Sequence, residues 1–141
     1  PVLTMLKADH KKVKALFAEY EDATTRKQQK IAQTAIEELE VHAELEEELI
    51  YPAIRKGIKD ADLMNEAIEE HHLVHVLIAE LKELDPSDEA FKAKFTVLGE
   101  LVKHHVKEEE GEMFPHALKA KIDWEALKTE VMERKEQLMA A

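Results

Sequence analysis

The chain contains no cysteine. That excludes disulfides, thiolate nucleophiles and cysteine-based zinc sites. Glycine and proline are scarce, at three and four residues in 141, too few for a loop-rich or disordered chain. Runs of β-branched residues are absent, while alanine, glutamate, lysine and leucine dominate, a composition that predicts an all-α protein. No uninterrupted apolar stretch approaches the roughly 20 residues of a membrane span. The N-terminal PVLTMLKADHKKV has no signal-peptide hydrophobic region, so a cytoplasmic protein is expected. What the chain has in quantity is charge: 36% of residues are charged and the formal net charge is −11. Such a balance repels nucleic acid and anionic membrane surfaces, and neither is expected as a partner. The length, 1–141, suits a single domain with one core.

Four stripes with steps of three and four residues mark four helices. They are Leu3, Leu6, His10, Val13, Phe17 and Tyr20; Ala35, Leu39, His42, Glu46, Leu49 and Ala53; Met64, Ile68, His71, His75 and Ile78; and Phe91, Phe95, Leu98, Val102, His105 and Glu109. DATTRK separates the first two helices. Gly57 is a natural C-terminal cap before KDAD, and DPSDE pairs a helix-stopping proline with Ser87 or Asp88 as the next N-cap. Short connections predict an antiparallel up-down-up-down four-helix bundle over residues 3–118. A short fifth helix over 123–139 follows, capped by Asp123 and docked by Trp124, Leu127, Val131 and Leu138.

The chain also repeats itself. HAELEEELIYP (42–52) matches HVKEEEGEMFP (105–115), and ADHKKVKALFAEY (8–20) matches EEHHLVHVLIAEL (69–81). Two similar helical hairpins would face each other about an approximate two-fold axis. At mid-helix the expected apolar stripes carry His10, His42, Glu46, His71, His75, His105 and Glu109. Burying an unpaired carboxylate costs several kcal/mol, and an unsatisfied imidazole is also penalised. Convergence of all seven is tolerable when metal binds them. Histidines at i and i+4, or a His-x-x-x-Glu pair, chelate from one helix face. Imidazole and carboxylate without thiolate suit iron, manganese or zinc. The donors are too many for one ion; two ions bridged by both carboxylates fit better.

Those seven positions resemble the hemerythrin-like (HHE cation-binding) domain over residues 3 to about 118. The family pattern is a histidine on the first helix, His-x-x-x-Glu on the second, His-x-x-x-His on the third, and His-x-x-x-Glu or His-x-x-x-x-Asp on the fourth. It falls on His10, on His42 with Glu46, on His71 with His75, and on His105 with Glu109. In HHVKEEE, His104 is the alternative at five-residue spacing; the repeat and the stripe select His105.

The resemblance implies two iron ions (Fe2+/Fe3+) with a bridging oxo or hydroxo group. His71, His75 and His105 would hold one, His10 and His42 the other, and Glu46 and Glu109 would bridge them. Lys14, standing where the other repeat has His75, would leave the second iron one ligand short. The expected function is binding of dioxygen or a related small oxidant, for oxygen binding, storage or sensing, in an apolar pocket drawn from Leu6, Val13, Leu39, Ile78 and Leu98. The alternative is a peroxide- or nitric-oxide-processing di-iron enzyme, or an iron storage or sensing protein. Expected partners are small ligands such as dioxygen, peroxide or nitric oxide, with the chain a monomer or weak oligomer. His72, His104, His116, Glu112 and most of the EEE runs read as surface. Pro52 and Pro115 predict a kink or stop beyond the site.

Overall fold

The structure is a computed structural model, and it describes residues 1–140; Ala141 lies outside the described residues. Seven α-helical segments run in order: α1 (Val2–Asp22), α2 (Thr25–Leu45), α3 (Tyr51–Gly57), α4 (Ala61–Lys82), α5 (Glu89–Glu108), α6 (Phe114–Lys119) and α7 (Trp124–Ala140). A π-helical turn, Glu46–Ile50, joins α2 to α3, and a second, Glu109–Met113, joins α5 to α6. α2 with α3, and α5 with α6, thus each make one long rod. With α1 and α4 they form the expected antiparallel four-helix bundle, and α7 packs across α1, α2 and the first π turn.

Short polar side chains set the helix starts by accepting orphan backbone N–H groups. Thr24 accepts from Lys27, Asp60 from Leu63, Asp88 from Ala90 and Asp123 from Ala126. Of the two candidates in DPSDE, Asp88 is therefore the cap. Gly57 does not act as a left-handed cap, since no glycine among the described residues has positive φ. It matters for space: a Cβ there would lie 2.8 Å from Ile122 Cγ1 and 3.2 Å from Ala120 Cβ. In α7, Leu127 and Val131 are buried, and Trp124 and Leu138 pack at the edge of the same core.

Neither Pro52 nor Pro115 stops its rod, and the π turns explain why. Pro52 has no N–H, and its ring would collide with the carbonyl of Glu48 in a regular α-helix. Widening the preceding turn to i→i+5 bonding relieves this: Tyr51 N–H donates to the Glu46 carbonyl, and Phe114 N–H to that of Glu109. Each turn inserts one residue into the helical register, so the buried face moves. Past Glu46 it consists of Ile50, Tyr51 and Ile54, in place of Leu49 and Ala53; past Glu109 it consists of Met113 and Phe114, while Glu112 is exposed. The stripe on α4 also differs from the sequence reading. It runs Met64, Ala67, His71, Val74, Ile78 and Leu81, with Ile68 at 41% exposure. His75 shares the shoulder of the helix with Ile68.

Two apolar clusters fill the bundle. One contains Leu6, Leu45, Ile50, Tyr51, Ile54, Met64, Met113 and Phe114, and α7 covers it. The other contains Val13, Tyr20, Leu39, Ile78, Phe91, Phe95 and Leu98. Between them lies a polar layer of His10, His42, Glu46, His71, His105 and Glu109, all buried.

Candidate metal centre

Every rod contributes to that layer: α1 gives His10, α2 His42, α4 His71 and α5 His105, while the first residue of each π turn is Glu46 or Glu109. The donor atoms form two overlapping groups. His10, His42, Glu46 and Glu109 make one; His71, His105, Glu46 and Glu109 make the other. Both carboxylates are shared. His10 Nε2 lies 3.3 Å from Glu109 Oε1, and His42 Nε2 lies 3.3 Å from Glu46 Oε1. His71 Nε2 is 3.1 Å from Glu46 Oε1, and His105 Nε2 is 2.8 Å from Glu109 Oε2.

The outer ring nitrogens reveal four carboxylates that the stripe reading left on the surface. His10 Nδ1 donates to Glu110 at 2.6 Å, His42 Nδ1 to Asp9 at 3.1 Å, His71 Nδ1 to Glu47 at 2.8 Å and His105 Nδ1 to Glu70 at 2.8 Å. The repeat pairs Asp9 with Glu70 and Glu47 with Glu110, and this signal was present in the sequence. A carboxylate can only accept, so each neutral imidazole keeps its proton on Nδ1 and turns the Nε2 lone pair inward.

That tautomer makes the centre a test of cation fit. His10 Nε2 stands 3.2 Å from His42 Nε2, and His71 Nε2 stands 3.2 Å from His105 Nε2. Lone pairs therefore meet lone pairs, with carboxylate oxygens between them. Glu46 Oε2 and Glu109 Oε1 are buried with no hydrogen-bond partner. Such a group of acceptors repels itself unless positive charge is supplied, by protons or by metal. Protons show the demand. Burial alone lowers the basicity of His42, but Glu46, Asp9 and Glu109 overcome it and hold the pKa well above the usual value. At His105, Glu109 and Glu70 overcome burial and raise the pKa to about 10. His71 is raised in the same way, by Glu46 and Glu47 against burial. Burial pushes Glu46 up, but His42, Glu109 and His71 outweigh it and hold the carboxyl well below its ordinary range.

Six of the seven residues read from the sequence thus converge. His75 does not: its side chain is 41% exposed and Nε2 contacts Glu47 at 2.7 Å. Lys14, its counterpart, is exposed as well. His104 is exposed beside Glu108, whereas His105 is buried and faces Glu109. His72 and His116 are exposed.

Tyr51 enters instead. Its hydroxyl donates to Glu109 Oε2 at 2.5 Å and lies 3.3 Å from Glu46 Oε1, 3.1 Å from His71 Nε2 and 3.0 Å from His105 Nε2. The π turn brings it there, because residues five apart share a face in that geometry and not in an α-helix. Burial, reinforced by Glu46 and Glu109, pushes the phenol well above its usual pKa. In the other half the same position is Phe114, whose ring lies parallel to that of His10 at 6.2 Å.

Against this layer lies a cavity of about 30 Å³. Its apolar walls follow the repeat: Val13 with Val74, Leu39 with Val102, and Ala43 with Val106. Leu6, Ile78 and Leu98 are buried in the core but are not among its walls.

Fold and site define a helical-bundle protein built to hold a cation in its core with histidine and carboxylate. Comparison with known proteins agrees: the model of the hemerythrin HHE cation-binding domain matches residues 2–117, and the chain belongs to that family. A hemerythrin HHE cation binding domain-containing protein from Mycobacterium kansasii is structurally similar, with TM-score 0.78 and 25% identity over 94% of this chain and 83% of that one. A curated relative, a DNA nickase from Nostoc sp. strain PCC 7120, is 32% identical over 111 residues. The match takes in 78% of this chain but 31% of the Nostoc protein. Among the described residues no helix is long and apolar enough to cross a membrane.

Proposed function

We propose that the chain holds two iron ions in the buried layer and binds dioxygen or a related small oxidant there. The observation that carries this reading is the pair of four-donor groups sharing Glu46 and Glu109, with the apolar cavity against them. Two overlapping groups favour two bridged ions over one, and a thiolate-free imidazole and carboxylate set suits iron. Bound iron would supply reversible redox change and an open position for a diatomic ligand. The protein's share is positioning and exclusion. Asp9, Glu47, Glu70 and Glu110 fix the four imidazole rings. Val13, Val74, Leu39 and Val102 keep the ligand side dry and admit only a few atoms.

Tyr51 favours a second reading, turnover of peroxide or nitric oxide. Its hydroxyl is a buried proton carrier within hydrogen-bond distance of Glu109 and both imidazoles of one half, and turnover requires a proton source that a carrier does not. The net charge of −11 opposes contact with a phosphate backbone, which weighs against a DNA-nicking role.

The test is the visible spectrum of anaerobically reduced, iron-loaded protein exposed to air. A charge-transfer band that reverses under vacuum supports binding. Bleaching with consumption of added peroxide supports turnover. Protein that holds zinc alone after growth with ample iron defeats both.

A further inference from the structure

The apolar walls of the cavity at the metal centre are themselves buried. Val13, Leu39, Ala43, Val74, Val102 and Val106 are at most 7% exposed, so a ligand enters where that wall is thinnest. An outer cleft of about 220 Å³ lies between α1 and α5, and Val102 is the residue it shares with the cavity. Lys14 and Lys103, next in sequence to the cavity residues Val13 and Val102, also line it. Phe17, Phe95 and Gly99 complete its inner side. The repeat shows how this flank is thinned. Gly99 corresponds to Ile36 of α2, and Val102 to Leu39. Ile36 and Leu39 are larger and buried. A glycine inside a helix weakens it, and Phe17 accounts for this one: a Cβ on residue 99 would lie 2.7 Å from Phe17 Cδ1. The Phe17 ring therefore lies on bare α5 backbone, with no side chain at 99 to interlock with it. On its other side it meets Phe95, with ring centroids 4.6 Å apart. Phe17 is only partly buried, and side chains near the surface change rotamer quickly.

We infer that small ligands reach the metal centre through this α1–α5 cleft, with Phe17 as the side chain that gates it and Val102 as the partition they pass. This inference rests on the small-ligand centre proposed above. The rim of the cleft balances Lys14 and Lys103 against Glu21 and Glu100, so it repels an anion less than the chain's net charge of −11 would suggest. The cleft that meets the centre at His105 is poorer for this purpose. It holds about 10 Å³ and is flanked by Glu70, Glu108 and Glu109. Those carboxylates repel anions, and their solvation disfavours an apolar diatomic. Ligands of a few atoms pass Phe17 and Val102, and larger ones are stopped before they meet metal.

Stopped-flow binding of azide to the ferric, iron-loaded chain tests this, with Kd measured separately by titration. Phe17 lies outside the cavity, so it meets the ligand only in passage. A side chain of that kind changes the rates of entry and exit by the same factor and leaves Kd alone. Phe17→Ala should raise both rates about tenfold or more. Phe17→Leu should raise both by less, and it keeps the test available if the alanine variant does not fold. Phe17→Trp should lower both. Azide binding with unchanged rates in the Phe17 variants overturns the route. A changed Kd with unequal shifts in the two rates also overturns it, because Phe17 then acts on the bound state. Failure of the iron-loaded wild type to bind azide at all defeats the small-ligand centre and, with it, the route.

Discussion

The Tyr51 hydroxyl donates to Glu109 across the bundle at 2.5 Å, between residues 58 positions apart in the chain. It is the sole hydroxyl in a layer of imidazoles and carboxylates, and its counterpart in the other repeat is Phe114. Tyr51→Phe therefore copies a side chain the fold already accepts at the equivalent place. The metal-free protein should lose roughly 1.5–3 kcal/mol, the worth of a hydrogen bond to a charged group, measured by urea unfolding. Iron content should stay at about two per chain, as the four-donor groups remain complete. If Tyr51 contacts ferric iron, the variant also lacks a phenolate-to-iron band. Unaltered stability and an unaltered spectrum would show that the hydroxyl is idle.

Metal and protons compete for the same lone pairs. In metal-free protein the carboxylates keep His42, His71 and His105 more basic than usual, His105 to about 10. Loading at pH 7 must then release protons, roughly two or more per chain. A pH indicator in weakly buffered solution reads this directly. Affinity should keep rising with pH well beyond the ordinary histidine range, towards about 10. Uptake with no proton release would mean that the empty centre is held by neutral imidazoles.

The same shifts set the pH dependence of the stripped protein. His105 has a folded pKa raised from 6.5 to about 10. Its contribution is complete below the unfolded value and is lost as pH rises through the folded one. Glu46 is depressed below its ordinary value of 4.5, as are Glu47 and Glu70, each held by its histidine partners against burial. Their contribution is present above that value and is lost as pH falls through the folded pKa. Stability without metal should therefore peak between the two ranges and decline steadily from neutrality towards pH 10. Urea midpoints across pH, with chelator present, check this. A flat profile from pH 6 to 10 would contradict it.

Where the sequence reading succeeded, the signals were local. Asp88 and Asp123 announce helix starts through their own side chains, and the mid-helix histidines stand out because polar groups do not belong on a buried stripe. Where it failed, the cause was a change of helical register. A period of three and four assumes an unbroken α-helix, so it carried Leu49 and Ala53 inward and left Tyr51 off the stripe. Pro52 and Pro115 marked both disturbances without revealing that the turn would widen instead of breaking. His75 shows the limit of spacing: four residues from His71 is on the same side, but Val74, at three, takes the interior place. The carboxylates behind the imidazoles were hidden among many solvated glutamates, and the repeat was the one cue that singled them out.

The cavity gives the most direct test of ligand binding. Its walls are paired by the repeat, and the pair Ala43 and Val106 is unequal in size. Ala43→Val replaces the smaller member with the residue the fold tolerates on the other side. The added methyl groups enter a space of about 30 Å³, little more than one water molecule needs. The change touches no donor atom, so iron content and the stripped protein's affinity for Co2+ should match wild type. Its cost to folding should be about 1–3 kcal/mol, the usual range for extra methyl groups in a packed core, and nearer the low end because empty space is available. Azide binding to the ferric form should weaken by about tenfold or more, the equivalent of roughly 1.4 kcal/mol of steric conflict. Weaker azide binding with full metal content would place the small ligand in this cavity. Undiminished azide affinity in a correctly loaded Ala43→Val protein would show that it reaches the metals from another side, with the Tyr51 and Phe114 layer the next place to look.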